Sequence, residues 1–315
     1  MKGRGFDRSP LIAHARNSIA KGSKSFAIAS TLFAPQTRER AWLLYAWCRK
    51  CDDLADGQDH GGAMASVDDP QARLAHIHAL TAKALAGETT SDPAFDGLAL
   101  VAAESRIPAS LIHDLIEGFA LDTEGWQPRT EDDLLRYCYH VAGAVGCMMA
   151  LVMGVDPADN ATLDRACDLG LAFQLANIAR DVGDDYAAGR CYLPADWLAE
   201  MDIPTDDILQ PATRARLAML GKRLADMAAR YEASARHGTP ALSFRSAWAV
   251  LAAAGIYGDI ARKVAASGEQ AWDRRVHTGK LAKITWVAKA AIQTWRRAQS
   301  WPGDAPRMGL WTRPK

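Results

Sequence analysis

The sequence contains neither a Gly-x-Gly-x-x-Gly turn after a strand nor a Gly-x-x-x-x-Gly-Lys-Ser/Thr loop. Nicotinamide and nucleotide chemistry therefore have no visible seat. Alternating Val/Ile/Thr runs bounded by turns are also missing, which excludes a sheet-based fold. No stretch is long and polar enough to act as an interdomain linker, and no basic run or nucleic-acid-reading motif occurs, so nucleic acid is not an expected partner. No apolar run at the start reads as a secretory signal, and most of the six cysteines sit in apolar stretches as small buried hydrophobes do. The expectation is a reducing, cytoplasmic setting. Cys48-x-x-Cys51 has no second pair and no matching histidine spacing, so core thiols are a better reading than a zinc or redox pair.

What remains is helical. The 315 residues are 49% hydrophobic, enough for a full-sized core, and nearly every long segment carries apolar residues at helical spacing. The pattern predicts an all-α, single-domain helical bundle over residues 1–300, with 301–315 as a C-terminal tail. Tyr137 to Val155 is free of Lys, Arg, Asp and Glu and approaches the length that spans a bilayer. It includes His140, Gly143, Gly146 and Gly154, however, and is read as a central helix whose small residues leave room for a ligand. Net charge is zero, yet from Arg262 to Lys315 there are 12 Lys/Arg against three Asp/Glu. That imbalance suits an anionic ligand such as a diphosphate, or a membrane surface.

Two segments carry a polar stripe through otherwise apolar helix. At about 100° per residue, Tyr45, Arg49, Asp52 and Asp56 share one narrow face, and so do Gln174, Asn177, Asp181 and Asp185. Each stripe ends in Asp-x-x-x-Asp. A lone Asp-x-x-x-Asp is commonly a solvated helix face, but here the flanking residues are apolar and the carboxylates have no Lys or Arg four residues further on. The stripes are expected to line a central apolar cavity. Four carboxylates there repel one another and require a cation. Oxygen donors without histidine or cysteine indicate Mg²⁺ or Mn²⁺ holding substrate phosphates, with Arg49 and Arg180 stabilising a departing diphosphate.

Six segments in order carry a family resemblance: Gly22-Ser-Lys-Ser-Phe26, Tyr45 to Asp56, Glu117-Gly-Phe119 with Asp122, Tyr137-Cys-Tyr-His-Val-Ala-Gly143, Gln174 to Asp185 and Gly189-Arg-Cys-Tyr-Leu-Pro194. The chain resembles the squalene and phytoene synthase family over nearly its whole length, and within it the bacterial enzymes that make phytoene. The resemblance implies an isoprenoid-synthase-type fold and a head-to-head prenyl transfer. Two molecules of geranylgeranyl diphosphate would condense through prephytoene diphosphate to phytoene, the first committed step of carotenoid biosynthesis, with release of two diphosphates and no NADPH. The same family contains synthases of squalene, dehydrosqualene and hydroxysqualene that use farnesyl diphosphate, and this alternative stays open.

By the same resemblance, Asp52, Asp56, Asp181 and Asp185 hold metal with Asn177 beside the second pair, and Arg49, Arg180 and Tyr45 serve the chemistry. Lys24, Ser25, Phe26, Tyr137, Val141, Gln174, Asn177 and Tyr257 are implied to bind substrate, and Ala142, Val145, Gly146 and Phe173 to line the channel with Phe26 and Val141. Ser25 has a second reading as the cap of a helix beginning near Phe26, and Arg274, Arg275 and Lys280 read equally well as a solvated face. Gly22 departs from relatives that carry His before Ser-Lys-Ser-Phe. Trp295, Trp301 and Trp311 among Arg296, Arg297, Arg307, Arg313 and Lys315 suggest reversible peripheral attachment to the inner face of a membrane; a solvated tail with docked tryptophans is the alternative. A non-catalytic assembly protein should have lost the carboxylates, and a metal-dependent phosphohydrolase should add histidine ligands, of which neither stripe has any.

Overall fold

A computed structural model describes residues 7–56 and 69–315, with backbone alone at Lys24, Ser25 and Asp56. Among the described residues every regular element is helical. The chain forms two compact units, Met1–Glu124 with Met148–Ala158, and Gly125–Cys147 with Asp159–Lys315.

The first unit contains α1 (Arg8–Gly22), α2 (Lys24–Ser30), α3 (Pro35–Asp56), α4 (Pro70–Leu85), α5 (Pro93–Ser105) and α6 (Ala109–Thr123). Short polar side chains start these helices by accepting from otherwise orphaned backbone N–H groups. Asp7 accepts from Ser9 N, Asp69 from Ala72 N and Asp92 from Ala94 N, with Pro70 and Pro93 at the following position. The cap of α2 is Ser23, which accepts from Phe26 N, so the helix begins earlier than the pattern near Phe26 predicts and Ser25 lies within it. Trp47, Leu43, Leu44, Ile77, Phe95, Leu98, Ile112 and Ile116 are fully buried and form the core.

The second unit is built on α7 (Glu131–Cys138), a π-helical turn at Tyr139–Gly143, the start of α8 (Ala144–Val152), α9 (Asn160–Ala187), α10 (Ala195–Glu200), α11 (Arg214–Arg236), α12 (Phe244–Ser267) and α13 (Lys280–Ser300). Thr130 and Asp133 form a reciprocal capping box at the start of α7. Glu131–Val152 is the one helical stretch among the described residues long and apolar enough to cross a bilayer, and 61% of its most apolar window is buried in the fold.

The glycines of this stretch do not leave a gap. A Cβ at Gly146 would stand 2.3 Å from Ala166 O, one at Gly170 would stand 2.3 Å from Ala142 O, and one at Gly143 would stand 2.8 Å from Leu171 Cδ1. These positions let α9 touch the backbone of the preceding helix, which is the structural reason for glycine there. Gly146 therefore faces α9, and the room for a ligand expected at Gly143 and Gly146 is filled by that helix. Gly154, just beyond the helix and at positive φ, has nothing within 4 Å of such a Cβ.

Residues 301–315 are fastened to the second unit by arginines. Arg307 forks onto Asp168, with Nε–Oδ2 2.9 Å and Nη2–Oδ1 2.6 Å, and Asp168 is fully buried. Ser234 donates to the same carboxylate and accepts from Arg165, which also donates to Ala305 O. Arg313 pairs with Asp164 at 2.8 Å and donates to Asn160 Oδ1 at 2.7 Å. Trp311 packs its ring 5.6 Å from that of Tyr139 and donates its N–H to Tyr231 Oη. Arg307, Arg313 and Trp311 are thus spoken for inside the fold.

Two outcomes follow. Gly170→Ala should lower stability by about 1–3 kcal/mol through backbone overpacking, whereas Gly183→Ala, whose nearest neighbour would be at an ordinary 3.7 Å, should be neutral or slightly stabilising; equal melting temperatures for the two variants would contradict the packing. Arg307→Ala leaves Asp168 buried without its fork and should cost about 3–5 kcal/mol in denaturant titration.

Candidate functional site

In the first unit, the α3 stripe emerges on the less buried side of the helix. Tyr45, Cys48, Arg49 and Asp52 are half-buried, while Leu44, Trp47 and Cys51 face the core. Arg49 is paired with Asp52, one turn on, and with Asp53, which accepts from Nε at 2.9 Å and lies 2.8 Å from Nη2. Asp53 was outside the predicted stripe, although its spacing from Arg49 was a readable signal for an ion pair. The carboxylates are therefore not self-repelling in isolation, because their own helix supplies a guanidinium. The side chains of Asp56, Lys24 and Ser25 lie outside the described part of the structure.

Tyr45 belongs to the same surface. Its ring is 6.2 Å from that of Phe26, which is itself exposed. Burial raises the Tyr45 phenol above its usual value, opposed by the Arg49 charge, so the hydroxyl stays protonated and able to donate at neutral pH. Gly22 stands directly over it, since a Cβ there would come 2.5 Å from Tyr45 Oη and 3.4 Å from Arg49 Cδ. A histidine at position 22 would displace the phenol from this position.

In the second unit, α9 repeats the arrangement with a second arginine. Phe173, Gln174, Asn177, Arg180, Asp181 and Asp185 are half-buried along one side, with Leu171, Leu175, Ile178 and Val182 on the other. Arg180 forks onto the adjacent Asp181, Nε–Oδ1 2.7 Å with a second, shorter bond from Nη2. Burial works against the Arg180 charge, but the bonds and charge of Asp181 outweigh it and hold the guanidinium above its ordinary value. Arg275 reaches Asp181 Oδ2 at 3.1 Å and lies 3.7 Å from Asp184. Arg275 is thus both largely exposed and in contact with the stripe, on a segment whose Trp272 donates its indole N–H to Ala179 O of α9 at 3.0 Å.

Tyr257 of α12 joins this group. Its ring stacks on Phe173 at 4.1 Å and 21°, and burial raises its phenol while Arg180 opposes the rise. Val141, Ala142 and Val145 are half-exposed on the π-turn and the start of α8. Tyr137 is buried in a three-ring stack, 5.6 Å from Trp126 and 4.8 Å from Tyr192. Its ring faces are therefore occupied by other aromatics.

The donor chemistry fits a hard divalent cation: carboxylates one helical turn apart with no imidazole on either stripe, and the one sulfur beside them, Cys48, is a thiol held protonated. No group of three or more His, Cys, Asp or Glu side chains among the described residues is assembled into a metal cage. An ion of the Mg²⁺ kind held by one or two carboxylates plus substrate phosphates needs no such cage. All six cysteines are free thiols. Burial and the Asp52 charge push the Cys48 thiol up to about 12, and burial raises Cys51 well above its usual value, the opposite of what a redox or metal pair needs. Native protein at pH 8 should resist carboxamidomethylation at Cys48 and be labelled there only after unfolding; rapid native labelling, read by peptide mass spectrometry, would contradict this site geometry.

Residues 19–282 match the family model described as squalene/phytoene synthase. The chain is 46% identical over 307 residues to a phytoene synthase of Pseudescherichia vulneris, covering 97% of this chain and 98% of that protein. It is 47% identical over 308 residues to a 15-cis-phytoene synthase of a Paracoccus strain, covering 97% and 99%. Among solved structures, a dehydrosqualene synthase in complex with a ligand superimposes with a TM-score of 0.80 at 27% identity, over 90% of this chain and 96% of that one. With the two carboxylate-and-arginine helices, the all-helical fold and these near full-length likenesses, the chain belongs to the squalene/phytoene synthase family.

Proposed function

We propose that this protein is a prenyltransferase that joins two molecules of geranylgeranyl diphosphate head to head, by way of prephytoene diphosphate, to give phytoene. The observation that carries this reading is the 46–47% identity, over nearly the whole of both chains, to proteins named phytoene synthase. Asp52 and Asp56 on α3, and Asp181 and Asp185 with Asn177 on α9, are the proposed metal ligands. A divalent ion bound there, Mg²⁺ or Mn²⁺, supplies charge neutralisation to the substrate diphosphates.

The chain's own residues supply the rest. Arg49 and Arg180, each already beside a carboxylate of its stripe, are placed to donate to diphosphate oxygens as negative charge develops on the leaving group. Lys24, Ser25, Gln174 and the protonated phenols of Tyr45 and Tyr257 add donors to that charge. Phe26, Phe173, Val141, Ala142 and Val145 are the apolar groups proposed to contact the prenyl tails, where exclusion of water keeps an allylic cation from ending as an alcohol. The Tyr137 phenol is retained as a substrate contact through its rim, since stacking covers its faces. The balanced reaction releases two diphosphates and two protons, one on forming the cyclopropyl intermediate and one after its ionisation, and consumes no reductant, so no NADPH is required. A cytoplasmic setting is part of this proposal and fits a chain whose six cysteines are not paired in disulfides.

Replacing Asp52 or Asp181 by Asn should reduce diphosphate release from geranylgeranyl diphosphate by about a hundredfold or more. The two variants should differ in stability. Asp52→Asn leaves Arg49 paired with Asp53 and should melt within a few degrees of the parent, whereas Asp181→Asn strips Arg180 of its fork and should melt measurably lower. Full turnover in both variants at saturating Mg²⁺ would overturn the metal-ligand assignment.

A further inference from the structure

The last long helix, α13, leaves an apolar face without a partner. Leu281 is 82% exposed, Ile284 and Ile292 are each 66% exposed and Trp295 is 84% exposed. At about 100° per residue these four, with Ala288 between them, fall within roughly an 80° arc. The opposite side of the helix is well fastened: Ala290 and Thr294 are buried, Trp248 of α12 donates to Val287 O at 2.8 Å, and Trp286 lies so close over Gly255 that a Cβ there would meet its ring at 2.3 Å. The exposed stripe is therefore a property of a docked helix.

The surroundings of the stripe say what covers it. From Arg274 to Gly303 there are seven Lys/Arg and no Asp or Glu. On the helix itself, Lys280 borders one side of the apolar arc, and Lys289 and Arg296 border the other. Lys289 lies over the Trp286 ring at 4.8 Å, which sets its stem against the helix beside the stripe. An apolar ridge between two basic margins is complementary to a surface that is apolar beneath and anionic above. A second copy of the chain is a poor partner, because a two-fold contact through this face would set the same cations against themselves. At five Lys/Arg in 21 residues the helix is too charged to span a bilayer, but suited to lie along one.

We propose that α13 is a membrane-docking helix, lying in the headgroup region of an anionic bilayer with Leu281, Ile284, Ile292 and Trp295 turned to the acyl chains and Lys289 and Arg296 at the phosphates. Of the segment singled out by its tryptophans and arginines, Trp295 and Arg296 belong to this contact, which extends upstream to Leu281, whereas Arg307, Arg313 and Trp311 are engaged within the fold. The proposal rests on surface chemistry and is independent of the reaction catalysed.

The test is co-sedimentation of the full chain with vesicles of phosphatidylcholine alone and of phosphatidylcholine with one quarter phosphatidylglycerol. The parent protein should pellet with the anionic vesicles at least tenfold more tightly than with the neutral ones, and lose this preference at high salt. Ile292→Gln with Trp295→Ser should weaken binding more than tenfold with an unchanged melting temperature, because both side chains are exposed. Lys289→Gln with Arg296→Gln should abolish the preference for phosphatidylglycerol. Failure of the parent protein to bind either vesicle, equal binding by the apolar double variant, or a solution dimer that this variant dissociates would each overturn the proposal.

Discussion

Carboxylates set on half-buried helix faces must be neutralised by something, and in this protein the neutralising groups at hand are arginines. Asp52 and Asp53 share Arg49, and Asp181 is held between Arg180 and Arg275. The arginines orient the carboxylates and offset their charge at a modest net electrostatic cost. They also leave each stripe able to exchange partners, because a guanidinium that pairs with a carboxylate matches a diphosphate equally well. The proposed chemistry depends on that exchange: the carboxylates would turn to hold a divalent ion, and the guanidinium groups would turn to the diphosphate.

The second unit depends on α9 for two tasks at once. One side presses on the preceding helix through Gly170 and Gly146, and the other carries Gln174, Asn177, Arg180 and Asp181. Near its start, Asp164 and Asp168 receive the arginines of the C-terminal strap, with Asp168 fully buried. Acidic residues at one end of the helix thus fasten the chain terminus, and those at the other end form the stripe. The two sets look alike as sequence and differ entirely in their surroundings.

That difference marks how far the sequence could be read. Helical class and both stripes were legible because a 3.6-residue period and an Asp-x-x-x-Asp spacing survive in one dimension. The role of Gly143 and Gly146 was not, because a glycine that admits a neighbouring backbone and a glycine that leaves space have the same local pattern. The partners of Arg275 and Arg307 were not legible for a related reason: Asp181 and Asp168 lie 94 and 139 residues away. The Arg49–Asp53 pair was within reach of the sequence and was passed over by following a single face of the helix too strictly.

The proposed reaction makes one forty-carbon hydrocarbon from two twenty-carbon diphosphates. It is tested most directly by incubating purified protein with Mg²⁺ and geranylgeranyl or farnesyl diphosphate in the absence of NADPH, then identifying the extracted hydrocarbon by mass spectrometry while counting diphosphate released. The account predicts phytoene from the geranylgeranyl substrate, with two diphosphates per molecule formed. A thirty-carbon product from farnesyl diphosphate alone, or no product from either substrate with folded protein, would contradict it.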